Sequence, residues 1–150
     1  MGAMLTRPLR KDDFDEIVQV IDWWWGGPTT ALAHPIYFYE LGQAARVVEE
    51  SGHVIGFLFG FLTPDAPPIG YVHLIGIHPE HRRRKVGRRL YESFEDYCRS
   101  AGCKRLKAIT TTGNVGSQKF HVALGWSATN VANYAGPGRD RMVFVKEIGS

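Results

Sequence analysis

The feature that most constrains the fold is an apolar segment that passes through a short basic loop into a strongly amphipathic helix. Tyr71–Ile77 is mostly apolar, as expected for a strand buried on both faces of a sheet. One face of the helix carries Val86, Leu90, Phe94, Tyr97 and Cys98. Gly102 stands where a C-terminal cap belongs, and Arg105–Thr110 has the pattern of a second strand. We therefore predict a right-handed crossover between two parallel strands.

Weaker signals on both sides of this unit extend it into a mixed sheet with helices on both faces. Leu5–Leu9 is predicted as a first strand. The helix after it is expected to end near Gly26-Gly27-Pro28. The other predicted strands are Ala45–Glu50, Val54–Thr63, Trp126–Tyr134 and Arg141–Val145, and the other predicted helices are Tyr37–Leu41 and Asn114–Leu124. The predicted order is β-α-α-β-β-β-α-β-α-β-β, an α+β fold.

The composition is that of one globular domain, and it argues against several classes of protein. Hydrophobic residues make up 44% and charged residues 22% of the 150 residues, so we expect a single domain over 1–150, with Met1-Gly2-Ala3 as a cloning remnant. No apolar run approaches the roughly 20 residues that cross a bilayer, and no secretory pattern is present. We therefore expect a cytoplasmic protein without a membrane partner, whose Cys98 and Cys103 are reduced structural thiols.

The residues that indicate chemistry are concentrated in His81–Leu90, where the basic loop leads into the helix. A helix N-terminus presents unpaired backbone N–H groups and a partial positive charge, which suits a phosphate group. Gly87 lets a ligand approach the backbone closely, and the long-range attraction of the loop comes from Arg83, Arg84, Lys85 and Arg88. A nucleic-acid surface and a solvated charged face are the alternatives. The net charge is only +3 and no aromatic residues are interleaved with the arginines, so we predict no nucleic-acid partner.

The same loop resembles the coenzyme-binding motif of the GNAT acetyltransferase superfamily, Arg/Gln-x-x-Gly-x-Gly/Ala. Arg82 matches the first position of the motif and Gly87 the last. Lys85 stands where the middle glycine is usual, and Arg83 replaces a glycine often found after the first arginine. The segment from Asn114 to Trp126 is similar to a second motif of the family, Asn-x-x-Ala/Ser-x-x-Phe/Leu-Tyr-x-x-x-Gly-Phe. The resemblance covers nearly the whole chain.

The resemblance implies a GNAT-like central mixed, mostly antiparallel sheet of about seven strands, with about four helices on its two faces. It also implies an N-acetyltransferase that uses acetyl-CoA and no metal, and in which a primary amine attacks directly in a ternary complex. Backbone at Ile75 and Ile77 would hold the pantetheine arm and the acetyl carbonyl, with Asn114, Ser117 and Phe120 on the other side of the arm. The coenzyme-binding residues so implied are Ile75, Ile77, Arg82, Arg83, Arg84, Lys85, Val86, Gly87, Arg88, Asn114, Ser117 and Phe120.

The strand before the loop supplies the candidates for the base that deprotonates the amine. Period-two alternation places Tyr71, His73, Ile75 and Ile77 on one face of that strand. The family often has its base at the positions of Tyr71 and His73. His73 matches one of a histidine pair in arylalkylamine acetyltransferases, but Tyr71 occupies the partner position, so a two-histidine relay is absent. A histidine pKa near 6.5 suits proton uptake at neutral pH, and a structural hydrogen-bonded histidine is the alternative.

The sequence defines the acid that protonates the departing thiolate less clearly than it defines the base. The family usually has a tyrosine directly after the position of Phe120, and His121 stands there in this chain. His121, Tyr134, Tyr91 and solvent all remain alternatives, and a stable thiolate needs little help from an acid. This departure motivates the main rival interpretation, a non-catalytic acyl-CoA-binding module.

The acceptor is not identified by the sequence. Trp23-Trp24-Trp25 and Pro28–Tyr39 occupy the region that shapes the acceptor pocket in the family. Trp24 continues the apolar stripe of its helix, so Trp23 or Trp25 should be partly exposed, either as an aromatic wall of the pocket or in simple packing. The acidic residues that could steer a cationic acceptor are Asp22, Glu40 and Asp65. His78 and His81 lack a third ligand at persuasive spacing, so no metal site is predicted, and a homodimer is one assembly that the sequence allows.

Overall fold

The computed structural model describes residues 3–25 and 30–149. Its elements are β1 (Met4–Pro8), α1 (Lys11–Trp25), α2 (Ile36–Tyr39), β2 (Arg46–Glu50), β3 (His53–Leu62), β4 (Ile69–Ile77), α3 (Val86–Ser100), β5 (Arg105–Thr111), α4 (Val115–Ala123), β6 (Ser127–Val131) and β7 (Arg141–Glu147), with short 3₁₀ turns at Thr30–Leu32, Gly42–Ala44 and Pro79–His81. This order of helices and strands confirms the predicted one. The predicted helix end near Gly26-Gly27-Pro28 lies outside the described residues.

The strands form one seven-stranded sheet in the order β1-β2-β3-β4-β5-β7-β6. The pair β4–β5 is parallel, and the other neighbouring pairs are antiparallel. Because α3 connects the two parallel strands, it lies on one face of the sheet as the crossover helix. The predicted mixed, mostly antiparallel sheet is therefore confirmed.

Two apolar cores cover the two faces of the sheet. The core under α3 joins Leu90, Phe94 and Cys98 to side chains of β3, β5 and β7, of which Phe144 is fully buried. The core under α1 joins its buried stripe to the opposite side chains of the central strands: Phe14, Ile17, Ile21 and Trp24 pack with Val47, Phe57, Phe59 and Leu74. Each helix thus lies where its apolar stripe is removed from water.

The helix ends follow from local hydrogen bonding. Asn114 caps α4, because its side-chain oxygen accepts a hydrogen bond from the backbone N–H of Ser117 at 3.1 Å. Gly102 ends the turn after α3 with a φ of +91°, a conformation that glycine adopts without a steric penalty. Both ends agree with the sequence-based prediction.

The alternation of β4 is interrupted at His73. Gly60 of β3 pairs with Val72, and Phe59 pairs with Leu74, so His73 is an extra residue in a β-bulge. A bulge places two successive side chains on the same side of the strand and inverts the alternation that follows.

The prediction that four β4 side chains share one face is wrong for this reason. Tyr71 packs on Phe61 at 5.3 Å between ring centroids, and His73 stacks on Tyr37, all on the side of the sheet covered by α1 and α2. Ile75 and Ile77 instead pack against the core under α3. Alternation in the sequence does not reveal a bulge, because the inserted residue leaves the apolar pattern unchanged.

Candidate functional site

The sheet splits between its two parallel strands. The pairing of β4 with β5 runs from Ile69↔Arg105 to Val72↔Ala108, and beyond it β4 continues to Ile77 and β5 to Thr111. This part of the chain is wholly described. Beyond the paired residues, the facing backbone groups of the two strand ends therefore do not hydrogen-bond to each other. A cavity of about 1030 Å³ occupies the split, between the start of α3 and α4. Backbone polar groups at such an edge are available to an extended ligand.

The N-terminus of α3 forms one end of this cavity. Arg89 donates its backbone N–H to the Lys85 carbonyl at 3.1 Å, so the N–H groups of Val86, Gly87 and Arg88 precede the hydrogen-bonded turns. Lys85 is the N-cap residue, and its side chain makes no capping hydrogen bond. The cavity lining here consists of Arg82, Arg83, Lys85, Gly87 and Arg88. Uncapped N–H groups, the helix dipole and four basic side chains make this end suited to an anion.

Lys85 has a left-handed backbone conformation, with φ +60° and ψ +27°. This is the position where the resembling motif has a glycine, and glycine is the residue that adopts this conformation without a steric penalty. The loop therefore keeps the backbone geometry that a glycine would favour, although a lysine occupies the position.

Gly87 is required by packing. A Cβ at this position would lie 2.8 Å from Cζ of Phe120 and 3.0 Å from Cδ1 of Ile77. The absent side chain lets α3 approach Phe120 and Ile77, both of which line the cavity. The sequence indicated close approach of a ligand at Gly87 but not this contact between α3 and α4.

Most of the residues predicted from the sequence line the cavity. They are His73, Ile75, Ile77, Arg82, Arg83, Lys85, Gly87, Arg88, Asn114, Ser117, Phe120 and His121. Three others have different surroundings. Arg84 forms a two-point ion pair with Glu50, with N–O distances of 3.0 and 2.5 Å, and lowers the pKa of that carboxyl. Val86, the first residue of α3, is buried against the sheet, and the Tyr71 ring packs on Phe61.

Arg82 also contacts protein. Its Nη2 donates a hydrogen bond to the carbonyl oxygen of Trp24 at 2.5 Å. The bond ties the basic loop to the last turn of α1, where a cation complements the partial negative charge of the helix end. Arg82 therefore positions the loop while its side chain lines the cavity.

His73, the extra residue of the bulge, lines the cavity. Its Nε2 is 2.8 Å from the carbonyl oxygen of Leu32, and its ring stacks on Tyr37 at 4.0 Å. A carbonyl only accepts, so Nε2 carries the hydrogen and Nδ1 carries the lone pair. Burial lowers the pKa of His73, although the bond to Leu32 opposes this. The imidazole is therefore a neutral base candidate at neutral pH.

His121 is held much more tightly. Its Nδ1 donates to the Ser117 carbonyl at 2.8 Å, its Nε2 accepts from the Tyr91 hydroxyl at 2.7 Å, and its ring stacks on Phe144 at 4.1 Å. The side chain is only 4% exposed, and burial lowers its pKa. His121 must gain a proton against this lowered pKa before it can act as an acid.

The sequence indicates Tyr91 only as one of several candidates for the acid. It lies one helical turn after Gly87, lines the cavity and is bonded to His121. The spacing of four residues from Gly87 on an amphipathic helix is the signal that could have placed it there.

A second, smaller cavity of about 360 Å³ lies beside the first, on the side of α2. Its lining is Ala31, Leu32, His34, Ile36, Tyr37 and His73. Leu32 and His73 border both cavities, and Trp25 lines the larger one. As expected, Trp24 is buried while Trp23 and Trp25 are 62% and 37% exposed. Trp25 thus fits the hypothesis of an aromatic wall.

The acidic side chains considered for steering an acceptor have other contacts. Asp22 accepts a hydrogen bond from the backbone N–H of Thr30 at 2.7 Å, and Asp65 accepts one from the Thr63 hydroxyl at 2.6 Å. Neither these two residues nor Glu40 lines either cavity.

Residues 3–25 and 30–149 contain neither a metal-binding cluster nor a membrane-spanning helix. No three His, Cys, Asp or Glu side chains there are grouped so that they could hold a metal ion. None of the helices there has the length and apolar character needed to span a membrane.

Comparison with known proteins identifies the family. Residues 8–126 match the model of the Acetyltransferase (GNAT) family. The L-methionine sulfoximine/L-methionine sulfone acetyltransferase of Salmonella typhimurium (strain LT2) is 29% identical over 111 residues, which are 70% of this chain and 65% of that protein. The chain spans 61% of the length of each of two Bacillus subtilis (strain 168) relatives. Its curated relatives are thus longer than the matched part.

Solved structures share the fold. Ard1 from Thermoplasma volcanium superimposes with a TM-score of 0.82 at 19% identity, over 99% of both chains. The yncA acetyltransferase structure from Salmonella typhimurium, described with its cofactor acetyl-CoA, has a TM-score of 0.72 at 19% identity, over 97% of this chain and 94% of the other. The family model covers well over half of the chain, and the split sheet has the same overall fold as these structures. This protein belongs to the GNAT acetyltransferase family.

Proposed function

We propose that the protein is an N-acetyltransferase that transfers an acetyl group from acetyl-CoA to a primary amine. The observation that carries the proposal is the cavity in the split sheet, which connects an uncapped, basic helix N-terminus to a neutral histidine. Membership of the GNAT family and the acetyl-CoA described for a structural neighbour support the choice of donor.

The donor is bound in three parts. The N–H groups of Val86, Gly87 and Arg88 hold the pyrophosphate, with attraction from Arg82, Arg83 and Lys85 and at longer range from Arg84. The free backbone edge of β4, at Ile75 and Ile77, bonds the amides of the pantetheine arm and polarises the acetyl carbonyl. The opposite wall consists of Asn114, Ser117 and Phe120.

The chain's own residues supply the proton transfers. Nδ1 of His73 takes a proton from the ammonium form of the acceptor, and the freed nitrogen attacks the thioester carbonyl in a ternary complex. The new C–N bond forms as the C–S bond breaks, the electron pair leaves with sulfur, and the excess proton on the nitrogen passes to the thiolate through an acid or solvent. A thiolate with a pKa of about 8.5, by analogy with cysteine, is a stable leaving group, so Tyr91, His121, Tyr134 or solvent contributes only a small effect as acid.

Two exposed arginines of α3 provide a matched test of donor binding. Arg88 lines the cavity, whereas its neighbour Arg89 is exposed and does not line it. Arg88→Glu should weaken CoA binding about tenfold or more, measured by calorimetry at low salt, because it reverses a charge next to the pyrophosphate site. Arg89→Glu should change the affinity less than threefold. Equal losses in both variants would contradict binding at this helix end.

Catalysis is tested by the release of free CoA thiol from acetyl-CoA with a panel of amines. Turnover with at least one primary amine is expected, and the acetylated product should be confirmed by mass spectrometry. CoA binding without thiol release for alkylamines, amino acids, polyamines, aminoglycosides and short peptides would favour the rival function, a non-catalytic acyl-CoA-binding module.

A further inference from the structure

We propose that the acceptor is a small amine that carries one positive charge and an aromatic or large aliphatic group, and that it binds in the groove between β4 and residues 31–37. This inference rests on the proposed function, because it assigns the acceptor side of the same site. Its support comes from the charges and the apolar surfaces around His73.

The charges around His73 favour an acceptor with a single ammonium group. Among the described residues, no Asp or Glu lines either cavity, whereas Arg82, Arg83, Lys85, Arg88 and Arg141 line the larger one. The four residues at 26–29 are Gly-Gly-Pro-Thr, so the sequence adds no carboxylate there. A polyamine or aminoglycoside would bring a second ammonium group to a site that has basic side chains and no carboxylate to pair with it. An acceptor with a single ammonium group loses that charge to His73 before the reaction.

The groove on the other side of His73 is mostly apolar. Leu32 and Ile36 are 43% and 39% exposed, and both line the smaller cavity with Ala31 and Tyr37. Large apolar side chains that remain exposed around a concave site are typical of a ligand-binding surface. The volume of about 360 Å³ is at the lower end of the range of ligand pockets, about 300–1,000 Å³, and suits one ring or a short alkyl chain.

His73 lies where the two cavities meet. His73 borders the larger cavity, which we assign to the donor, and the smaller apolar one, and the Leu32 carbonyl holds its ring between them. An amine whose apolar group rests on Leu32, Ile36 and Tyr37 would therefore have its nitrogen close to the imidazole. Leu32 is thus the expected specificity residue of the groove.

The experiment compares five probe amines: phenylethylamine, hexylamine, putrescine, spermidine and kanamycin. Binding of each to the CoA complex is measured by calorimetry, and turnover with acetyl-CoA by thiol release. The first two probes should bind and react at least tenfold better, in Kd and in kcat/KM, than the three polycations. Tighter binding or faster turnover of any polycation than of phenylethylamine would overturn the inference. Absence of thiol release with every amine would remove the proposed function, while the order of binding affinities would still decide the acceptor class.

A substitution at Leu32 tests the charge argument directly. Leu32→Asp adds a carboxylate beside His73 without changing the backbone carbonyl that orients the ring. It should lower kcat/KM for phenylethylamine about tenfold and raise that for putrescine about tenfold, so that their ratio falls about 100-fold. The matched control is Tyr39→Asp, an exposed aromatic of α2 that lines neither cavity. A ratio that shifts equally in both variants, or in neither, would refute the assignment of the groove.

Discussion

At the scale of single residues, Lys85 shows that a motif departure can preserve backbone geometry. Its φ of +60° costs a non-glycine residue about 1–2 kcal/mol, whereas glycine mainly costs about 0.5–1 kcal/mol of extra unfolded-state entropy. Lys85→Gly should therefore leave the free energy of unfolding unchanged or raise it by up to about 1 kcal/mol in urea denaturation. The control Lys119→Gly, in the interior of α4, should lower it by about 1 kcal/mol. Equal losses would show that Lys85 is not strained.

The role of His73 can also be tested by changing a single residue. Burial lowers the pKa of His73 below 6.5, so the imidazole is neutral at pH values above that lowered pKa. Turnover should therefore rise as the pH increases through this pKa and then level off, before the further change caused by deprotonation of the amine. His73→Gln should remove this acid limb and lower kcat about 100-fold at pH 7, with a smaller loss near pH 9.5, where more amine is neutral. The exposed His53→Gln should match the wild-type profile. An acid limb that survives in His73→Gln would exclude His73 as the base.

At the scale of elements, the sequence predicted which helices and strands form but not how β4 and α3 fit together. Apolar spacing was sufficient for α3, because its stripe repeats over four turns. The bulge at His73 was not predictable, because it depends on the pairing with β3. It separates the side chains of Tyr71 and His73 from those of Ile75 and Ile77, so the base candidate faces α2 while the strand edge beyond it serves the cavity.

The close approach of α3 to the sheet depends on glycines in the strands beneath it. A Cβ on Gly56 of β3 would lie 2.4 Å from Cγ1 of Val86 and 3.3 Å from Cδ1 of Leu90. Gly56→Ala should therefore lower the free energy of unfolding by about 1–3 kcal/mol. Val86→Ala should cost about 2 kcal/mol through lost burial and a cavity.

Gly56→Ala adds a methyl group next to the volume that Val86→Ala removes. The free energy of unfolding lost in the double variant should therefore be smaller than the sum of the two single losses by about 1 kcal/mol or more. Gly113→Ala, whose Cβ would meet nothing within 4 Å, provides the control for adding a methyl group to a glycine. Strict additivity in urea denaturation would contradict direct contact between position 56 and α3.

At the scale of the whole molecule, the order of elements, the mixed sheet and most of the cavity lining could be predicted from the sequence. Local patterns set the helices and strands, and the basic loop and Asn114 lie in the segments that meet at the split sheet. The contacts of Arg84 with Glu50, of Gly87 with Phe120 and of His121 with Tyr91 could not be predicted. Each joins residues from different elements, and single-sequence patterns carry no information on such pairs.

The split between β4 and β5 also predicts how the whole molecule responds to the donor. Without a ligand, the facing amides of His73–Ile77 and Ile109–Thr111 have no partner across the split, and the sheet is held there only by its outer neighbours. CoA at 100 times its Kd should add about 2.7 kcal/mol to the free energy of unfolding, which corresponds to a rise in Tm of about 5–10 °C for a chain of this size.

The stabilisation should be localised as well as global. Hydrogen exchange should slow most in the β4 edge and at the N-terminus of α3, whereas the fully buried core of β2 and β3, at Val47 and Phe57, should slow only with global stability. Arg88→Glu should need about tenfold more CoA for the same rise in Tm, and Arg89→Glu should behave as the wild type. A rise in Tm without added protection along the β4 edge would mean that CoA binds elsewhere, because a ligand in the split must supply the hydrogen bonds that β5 does not.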